Sequence, residues 1–372
     1  MEDFGKDYGS PEEMDPEVKR ALEEERRIRR RAAAIRRARR RRRRAELTIF
    51  LVVLMFALAG GTGFYYYLKR GGSLSGFALP YAASREFHAS VLSKDNLRAE
   101  PFAAGLCVMK GDVACEGISL PTYQEGLLLS LSDQKVLYAQ NPFLRVYPAS
   151  LTKLVTAMIA LEYGNLSDVV TISEAAVNLE EGSQVCGFWA GDELTMNQLL
   201  HCLLVYSGND AAMAIAEHVG GTIDNFVVMM NRYAADLGCT GTHFENPSGL
   251  HEENHYTTPY DIYLMLKEAA SHPEFTEISQ MGIYVVEYEH YDGTYVRTML
   301  EATDHYLTGE ATLPKNISVL GGKTGTTDEA GNCLALLTQN AYGQPYISII
   351  MGAYSKEELY EQMNDLLRAI RT

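Results

Sequence analysis

An uncharged stretch of 22 residues, from Leu47 to Leu68, constrains this 372-residue chain more than any other feature of its sequence. A helix of that length rises about 33 Å at about 1.5 Å per residue, which is enough to cross the apolar part of a bilayer. Arginines crowd the N-terminal side of the stretch between Arg26 and Arg44, and Lys/Arg-rich flanks of membrane helices stay in the cytoplasm. The sequence therefore predicts a single-pass membrane anchor with a cytoplasmic N-terminus and an extracytoplasmic body.

Two other interpretations of this N-terminal region remain open. Ala57, Leu58 and Ala59 resemble the cleavage site of a secretory signal peptide, although the 46 residues before the stretch make an unusually long leader. The arginines at positions 39–44 could also contact the phosphates of a nucleic acid. Membrane topology and attraction to anionic lipid explain the same charges without another partner. We therefore expect no nucleic-acid partner.

The charge of the chain is divided between a basic N-terminal part and an acidic remainder. Residues 1–46 carry 16 Lys/Arg against 11 Asp/Glu, whereas residues 71–372 carry 15 against 37. The remainder is long enough to bury a sizeable core. We expect a basic cytoplasmic tail at residues 1–46, the anchor at 47–68, a tether at 69–121 and a catalytic domain at 122–372.

From residue 122 onward, apolar residues recur with the periods of strands and helices. Two short apolar runs at 126–131 and 136–140 predict a hairpin, and a helix is predicted from Pro148 until Gly164 ends it. Further helices are predicted at residues 195–205, 210–218, 223–237, 258–270 and 356–370, and further strands at 282–287, 295–300, 318–324, 332–339 and 346–353. This order predicts an α/β (α+β) fold with a helical insert, in which the first and last strands of a sheet meet.

Six cysteines, at positions 107, 115, 186, 202, 239 and 333, lie in the part predicted to be outside the membrane. Cys107 and Cys115 are close in sequence, so a disulfide between them remains open. The other four are expected to be small buried hydrophobic residues. The sequence contains no C-x-x-C motif, which leaves a zinc ribbon or a thioredoxin-type site without support.

The first candidates for chemistry are Ser150 and Lys153, three residues apart at the start of a predicted helix. Positions i and i+3 share a helix face, so the hydroxyl and the amine can approach hydrogen-bonding distance. A lysine can serve as the base for a serine when burial or a neighbouring cation favours its neutral form. Alone, the same pattern fits a helix-capping serine followed by a surface lysine.

Two further motifs follow along the chain. Ser207 and Asn209 lie between two predicted helices, where short polar side chains can face a cleft. Lys323, Thr324 and Gly325 end a predicted strand, where a cation and a hydroxyl can bind a carboxylate and a glycine lets a ligand backbone lie close. In the order S-x-x-K, S-x-N and K-T-G, the three motifs are typical of penicillin-recognising serine enzymes.

Around these motifs the chain resembles the serine-type D-Ala-D-Ala carboxypeptidases, which are the low-molecular-mass penicillin-binding proteins. The resemblance runs from about residue 126 to the C-terminus and includes YPASLTK at 147–153, SGNDA at 207–211, NPSGL at 246–250 and GKTGTT at 322–327. It implies a β-lactamase/transpeptidase-like fold, an antiparallel sheet flanked by helices. It also implies a peptidoglycan stem peptide ending in D-Ala-D-Ala as substrate, β-lactams as covalent inhibitors, and neither cofactor nor metal.

The resemblance further implies roles for the first two motifs. Ser150 would form the acyl-enzyme and Lys153 would take its proton. Ser207 with Asn209 would relay protons and hold the substrate amide. The backbone N–H groups of Ser150 and Thr326 would form the oxyanion hole, which matters most for a tetrahedral intermediate.

In the third motif, the resemblance implies that Lys323 and Thr324 bind the terminal carboxylate of the substrate beside Gly325. The sequence departs from the usual family pattern in two places. Only 47 residues follow Gly325, whereas many members carry a second β-rich domain and a C-terminal membrane anchor. We expect the N-terminal span to replace that anchor. Thr326 also stands where other members often have a bulkier residue.

Three other functions compete with this one. His251 and His255 fit the zinc motif H-E-x-x-H, but they lie in a predicted loop, whereas that motif needs both histidines on one helix face. A β-lactamase needs a deacylating base, and no E-x-x-L-N pattern occurs between Ser207 and Lys323. A β-lactam-binding sensor or a non-catalytic relative remains the alternative, although the motif residues are intact and the cytoplasmic part is only a short tail.

Overall fold

The computed structural model describes residues 105–370, and its centre is a five-stranded antiparallel sheet in the order β2-β1-β9-β8-β7. The strands in this part of the chain are β1 (Glu125–Ser130), β2 (Lys135–Gln140), β3 (Val169–Thr171), β4 (Glu193–Thr195), β5 (Ile283–Glu289), β6 (Tyr295–Glu301), β7 (Ile317–Thr327), β8 (Gly331–Asn340) and β9 (Pro345–Ala353). β1 pairs with β9, so that Gly126 lies opposite Ile350. The prediction that the first and last strands meet is confirmed.

Helices cover both faces of this sheet. Between residues 105 and 370 they are α1 (Lys153–Tyr163), α2 (Glu174–Val177), α3 (Met196–His201), α4 (Asn209–Gly220), α5 (Ile223–Asp236), α6 (Pro259–Ala269), α7 (Pro273–Ser279), α8 (His305–Thr308) and α9 (Lys356–Arg368). The sequence supplies the start signals of the longer ones. Thr222, Thr258 and Ser355 cap α5, α6 and α9, because each side chain accepts a hydrogen bond from the backbone N–H three residues further on.

The sheet separates two apolar cores. Leu127 and Leu129 of β1 face the larger core, which α1 and α6 fill, whereas Leu128 faces the smaller core under α9. Strands that are covered on both faces read as continuous apolar runs, as β1, β8 and β9 do. The first eight residues of α1 are all buried, so this helix carries Lys153 into the interior.

Two predicted helices differ from the structure at positions that shape the site. The helix predicted from Pro148 begins as a 3₁₀ turn, Ala149–Thr152, and becomes α-helical only at Lys153. The helix predicted at residues 195–205 is α-helical over α3 and then widens into a π-helical turn, Cys202–Tyr206. π-helical turns are rare in proteins as a whole, and those that occur are often found at functional sites.

Other differences concern short elements. The strands β5 and β6 form a two-stranded sheet of their own instead of joining the central sheet. Apolar periodicity predicts that a strand exists but not which sheet it joins. Five short elements, three to seven residues long, have no clear signal in the sequence and were not predicted from it: β3, α2, β4, α7 and α8.

Residues 105–121, which belong to the predicted tether, pack against the folded domain. The backbone N–H of Cys107 donates to the Tyr263 hydroxyl at 2.9 Å, and Val113 pairs with Ala139 of β2. The remainder of the predicted tether, the predicted tail and the predicted anchor at 47–68 lie outside the described residues. Within residues 105–370, no helix has the length and apolar character needed to cross a bilayer.

All six cysteines are free thiols. The Cys107–Cys115 disulfide that the sequence left open is not formed, because Cys107 belongs to the larger core while Cys115 packs against the smaller one. The thiol of Cys107 instead lies 3.4 Å from the Ser130 carbonyl oxygen. Of the four cysteines expected to be buried, positions 202, 239 and 333 are buried and Cys186 is half-buried.

Candidate active site

Ser150 and Lys153 meet at the start of α1, as their spacing predicts. Ser150 lies on the 3₁₀ turn directly after Ala149, whose φ of 47° is in the left-handed region. Non-glycine residues seldom adopt that conformation, and such strain clusters at functional sites. The turn brings Ser150 Oγ within 2.7 Å of Lys153 Nζ.

Lys153 is a fully buried lysine with three hydrogen-bond partners. Besides Ser150, its Nζ lies 2.6 Å from Asn209 Oδ1 and 2.6 Å from the Ser248 carbonyl oxygen. Burial, and then the positive charge of Lys323, hold the pKa of Lys153 well below the ordinary lysine value. A neutral amine has two N–H groups and one lone pair. In this neutral form, which the lowered pKa favours, the oxygens of Asn209 and Ser248 accept the two N–H groups, and the lone pair is left for the hydroxyl proton of Ser150.

Ser207 and Lys323 form a second hydrogen-bonded pair in the site. Ser207 ends the π-helical turn with a φ of 68°, and its Oγ lies 2.8 Å from Lys323 Nζ. Lys323 is buried within β7, and this burial lowers the pKa of Lys323 to about 7, while the negative charge of Asp304 opposes the shift. Burial also raises the pKa of Asp304 to about 6. Lys323 therefore titrates near neutral pH, and its charged form can bind an anion.

A cleft of about 360 Å³ opens beside these pairs. Six of the eight site residues predicted from the sequence line it, namely Ser150, Ser207, Asn209, Thr324, Gly325 and Thr326. The other two, Lys153 and Lys323, are buried and reach the cleft through their hydrogen bonds to the serines. A Cβ on Gly325 would lie 3.0 Å from Ser150 N. The lack of a side chain therefore lets β7 lie directly against the 3₁₀ turn Ala149–Thr152, which we call the serine turn. The structure thus brings all eight residues together.

A family model described as D-alanyl-D-alanine carboxypeptidase matches residues 124–355, which is more than half of the chain. The chain belongs to the D-alanyl-D-alanine carboxypeptidase family. Its curated relatives include DacF of Bacillus subtilis (strain 168), which is 34% identical over 252 residues, and DacA of Haemophilus influenzae, which is 32% identical over 252 residues. These matches cover 66% and 63% of this chain and 61% and 59% of the relatives, so the chain spans about three fifths of their length.

Solved structures establish the fold of this family member. The Streptomyces K15 DD-transpeptidase aligns with a TM-score of 0.63 at 24% identity, over 68% of this chain and 98% of that one. The D-alanyl-D-alanine carboxypeptidase from Mycobacterium tuberculosis H37Rv aligns with a TM-score of 0.61 at 26% identity, over 70% of this chain and 95% of that one. The predicted β-lactamase/transpeptidase-like fold, an antiparallel sheet with flanking helices, is confirmed.

Several cleft residues of this carboxypeptidase-family protein were not predicted from its sequence. Thr303, which precedes α8, lines the cleft and hydrogen-bonds through its hydroxyl to the hydroxyl of Thr324. Ser183 and Gln184 come from the loop between α2 and β4, and Lys356 is the first residue of α9. No local motif marks these positions. They are far apart in sequence and meet only through the tertiary fold.

The loop at residues 246–250 supports the serine turn in this family member. Gly249 has a φ of 87°, and a Cβ there would lie 1.9 Å from the Ala149 carbonyl oxygen. Only glycine fits so close an approach. Thr156 Oγ1 of α1 also donates to the Pro247 carbonyl oxygen at 2.6 Å. These contacts fix the position of Ser248, whose carbonyl oxygen faces Lys153.

The H-E-x-x-H pentapeptide lies in a loop, as predicted, and the helix that a zinc protease requires is absent from this segment. His255 is buried, and burial lowers its pKa to about 3, so its ring is neutral. The backbone N–H of Glu245 donates to His255 Nδ1, which places the ring proton on Nε2. Nε2 therefore donates to Thr152 Oγ1 at 2.7 Å, and His255 braces the serine turn.

Proposed function

We propose that this protein is a serine-type D-Ala-D-Ala carboxypeptidase that removes the terminal D-Ala from peptidoglycan stem peptides through an acyl-enzyme on Ser150. The observation that carries the proposal is the 2.7 Å contact between Ser150 Oγ and the buried amine of Lys153, whose pKa is depressed. A serine hydroxyl is a weak nucleophile, and a base within hydrogen-bonding distance activates it. The names of the curated relatives, D-alanyl-D-alanine carboxypeptidases, support the same substrate bond.

In the acylation step, Ser150 Oγ attacks the carbonyl carbon of the penultimate D-Ala while its proton passes to Lys153 Nζ. The C–N bond then breaks, the acyl group stays on Ser150, and the leaving D-Ala amine takes a proton that Ser207 relays. The backbone N–H groups of Ser150 and Thr326 stabilise the oxyanion. The close approach of β7 to the serine turn at Gly325 supports this placement.

Lys323 and Thr324 bind the terminal carboxylate of the substrate. A charged lysine beside a hydroxyl supplies charge-assisted hydrogen bonds to a carboxylate. Asp304 favours the charged form of Lys323, and a bound carboxylate favours it further. The same contacts would hold the carboxylate of a β-lactam, which we propose as a covalent inhibitor that acylates Ser150.

Water takes the acyl group from Ser150 in the second half of the proposed reaction. The relatives are named for different acceptors or bonds, because the Streptomyces K15 protein is called a DD-transpeptidase and a Pseudomonas aeruginosa relative is called a D-alanyl-D-alanine endopeptidase. The ratio of hydrolysed to aminolysed product in the presence of an amine such as glycylglycine measures this choice. Hydrolysis as the main outcome is expected, and aminolysis as the main outcome would make the protein a transpeptidase.

The experiment that tests the proposal measures D-alanine release from an acyl-L-Lys-D-Ala-D-Ala peptide, together with labelling by a fluorescent penicillin. Wild type is compared with Ser150→Ala and with Ser271→Ala, which removes an exposed hydroxyl next to α6. We expect release and labelling in wild type and S271A, and neither in S150A. Labelling without release would support the non-catalytic relative, and a folded wild type without either would overturn both functions.

We also propose that residues 47–68 anchor the protein in the cell membrane with the catalytic domain outside. The support is the uncharged stretch and the arginines before it. An arginine at the centre of a membrane helix costs about 2.5–3.5 kcal/mol. Leu54→Arg with Val53→Arg should therefore move the protein out of the membrane fraction, whereas Leu74→Arg, beyond the stretch, should not. Equal membrane association of all three proteins would refute the anchor.

A further inference from the structure

A second cavity, much smaller than the cleft, lies beside Lys323. Its volume is about 10 Å³, and its wall is formed by the end of α7, the segment before α8, the π-helical turn and β7. A cavity of about this size holds one water molecule when polar groups surround it. Besides two threonines whose hydroxyls bond to each other, the polar side chains in this wall are Ser279, Asp304 and Lys323.

Ser279, the last residue of α7, has a buried hydroxyl without a hydrogen-bond partner among residues 105–370. A Cβ on Gly321 would overlap Ser279 Oγ, so the missing side chain lets this hydroxyl lie directly against β7. Burying a hydroxyl without a partner costs free energy, and ordered water commonly supplies the missing partner. The Ser279 hydroxyl therefore marks a place where a water molecule can bind.

Asp304 is a second buried group with bonding capacity left over. Its side chain is 8% exposed. Asp304 Oδ1 accepts the backbone N–H of Tyr306 at 3.0 Å and the Tyr360 hydroxyl at 3.3 Å. Within residues 105–370, both hydrogen bonds of this carboxylate end on Oδ1. Since both oxygens of a carboxylate accept hydrogen bonds, Oδ2 is left for a donor in the cavity.

Lys323 is the third group. A charged lysine has three N–H groups. Ser207 Oγ accepts one at 2.8 Å, and the Thr324 carbonyl oxygen accepts another at 3.1 Å. In the described part of the chain the third N–H has no acceptor, and Lys323 forms no direct ion pair with Asp304. One donor on Lys323, one acceptor on Asp304 and one hydroxyl on Ser279 thus share the same small cavity.

We propose that the cavity binds one water molecule, which accepts the third N–H of Lys323 and donates to Asp304 Oδ2 and Ser279 Oγ. Asp304 is thereby a positioning residue, because it holds Lys323 charged and oriented before a substrate carboxylate enters the cleft. Three hydrogen bonds are what a buried water typically makes. This role rests on the proposed function, in which Lys323 binds that carboxylate.

The charged groups around Lys323 fit this role. Burial lowers the pKa of Lys323 to about 7 although the negative charge of Asp304 raises it, and burial raises the pKa of Asp304 to about 6. Asp304 is therefore ionised over the range in which Lys323 titrates. The other titratable neighbours are Lys153 of α1, and Lys356 and Tyr360 of α9, which line the cleft. α7 and the π-helical turn add no charged group to the cavity wall.

The first test follows the protonation of Lys323 by NMR of the full-length protein, isotope-labelled at the lysine Cε atoms. The resonance of Lys323 is assigned by its loss in Lys323→Met. Asp304→Asn removes the negative charge and keeps Oδ1 as an acceptor. We expect the midpoint, near pH 7 in wild type, to fall by about 1–3 pH units in D304N. Asp365→Asn removes a carboxylate of α9 that bonds to Arg368 and should leave the midpoint unchanged.

The second test measures acylation by a fluorescent penicillin, whose carboxylate binds the charged form of Lys323 in the proposed function. The second-order rate constant should fall as the pH rises through the midpoint of Lys323, and in D304N this fall should begin at a lower pH. Above pH 7, D304N should therefore be slower by about tenfold or more, whereas its saturating rate should change less. A wild type that is not labelled would refute the proposed carboxypeptidase reaction, and the NMR test would still decide the role of Asp304.

A high-resolution crystal structure of the wild-type protein tests the water itself, and it decides the question even if D304N does not fold. One water within hydrogen-bonding distance of Asp304 Oδ2 and Lys323 Nζ would support the proposal. Three results would overturn it. They are a cavity that holds no water while Asp304 and Lys323 touch directly, equal midpoints of Lys323 in wild type and D304N, or a saturating rate in D304N that falls as much as the second-order rate constant.

Discussion

Replacing Lys153 with methionine tests the central step of the proposed reaction. Methionine keeps an unbranched side chain in the core and removes the amine that lies 2.7 Å from Ser150 Oγ. General-base catalysis by a positioned side chain contributes about 10²–10⁴ in rate, which corresponds to about 3–5 kcal/mol in the barrier. We therefore expect the first-order rate of acylation by a saturating fluorescent penicillin to fall by about 10²–10⁴ in K153M.

We expect the same substitution to have a limited effect on folding. It leaves Asn209 Oδ1 and the Ser248 carbonyl oxygen without their shared donor, and each unpaired buried acceptor costs about 1–3 kcal/mol. Removing an amine that was desolvated in the core offsets part of this cost, since burial is the main cause of its depressed pKa. Thermal unfolding of K153M therefore distinguishes a lost base from a lost fold.

Lys323→Met is the matched control, because Lys323 is also a buried lysine bonded to a serine hydroxyl of the site. We expect K323M to lower the apparent affinity for ligands with a carboxylate more than it lowers the saturating rate.

The pH dependence of the reaction gives a second test. In wild type, the rate should fall as the pH falls through the depressed pKa of Lys153, because protonation removes the lone pair. In K153M the rate should no longer show this dependence on pH. A saturating rate in K153M within about tenfold of wild type would refute Lys153 as the base.

Three further substitutions probe the support of the site and the core. Gly249→Ala places a Cβ 1.9 Å from the Ala149 carbonyl oxygen at a φ of 87°, so denaturant unfolding should show a loss of more than about 2 kcal/mol. Thr152→Val removes the partner of His255 Nε2 and should cost about 1–3 kcal/mol in the same measurement, and a neutral effect would contradict the hydrogen bond between these two side chains. Burial raises the pKa of Glu125 from 4.5 to about 7, so wild-type stability should fall as the pH rises from 4.5 to 7. Glu125→Gln should remove the part of that fall that Glu125 causes, whereas Asp304, whose pKa is raised to about 6, should keep its own part. The variant should gain up to about 3 kcal/mol above pH 7 and little near pH 4.5, and a gain independent of pH would show that ionisation is not the cause.

The sequence predicted the groups that we propose to react, because their chemistry is local. Ser150 and Lys153 need only a helical turn to meet, and Lys323 with Thr324 needs only a strand. Periodicity and start signals also located most of the long helices and the strands of the central sheet. The separate β5–β6 hairpin was not predicted, because which sheet a strand joins is decided by packing between distant segments.

The partners that surround those groups were not predicted from the sequence, because packing between distant segments brings them together. Spacing joins Lys153 to Ser150 alone; its other two partners come from α4 and from the loop at 246–250, and no spacing rule joins those to Lys153. Thr303 and Lys356 likewise reach the cleft only through the fold. The π-helical turn was predicted as part of the same helix as α3, because its residues keep the apolar periodicity of an α-helix.

The protonation states of Lys153 and Lys323 depend on each other. Lys323 must be positive to bind a carboxylate, and its charge is the second cause of the depressed pKa of Lys153, after burial. Asp304 counteracts the depression at Lys323 and is therefore the group that keeps this lysine charged near neutral pH. When a substrate carboxylate pairs with Lys323, part of the positive charge that acts on Lys153 is neutralised, and the pKa of Lys153 rises. In the proposed reaction the base is thus stronger in the substrate complex than in the free protein, and we expect a ligand that lacks the carboxylate to lose reactivity as well as affinity.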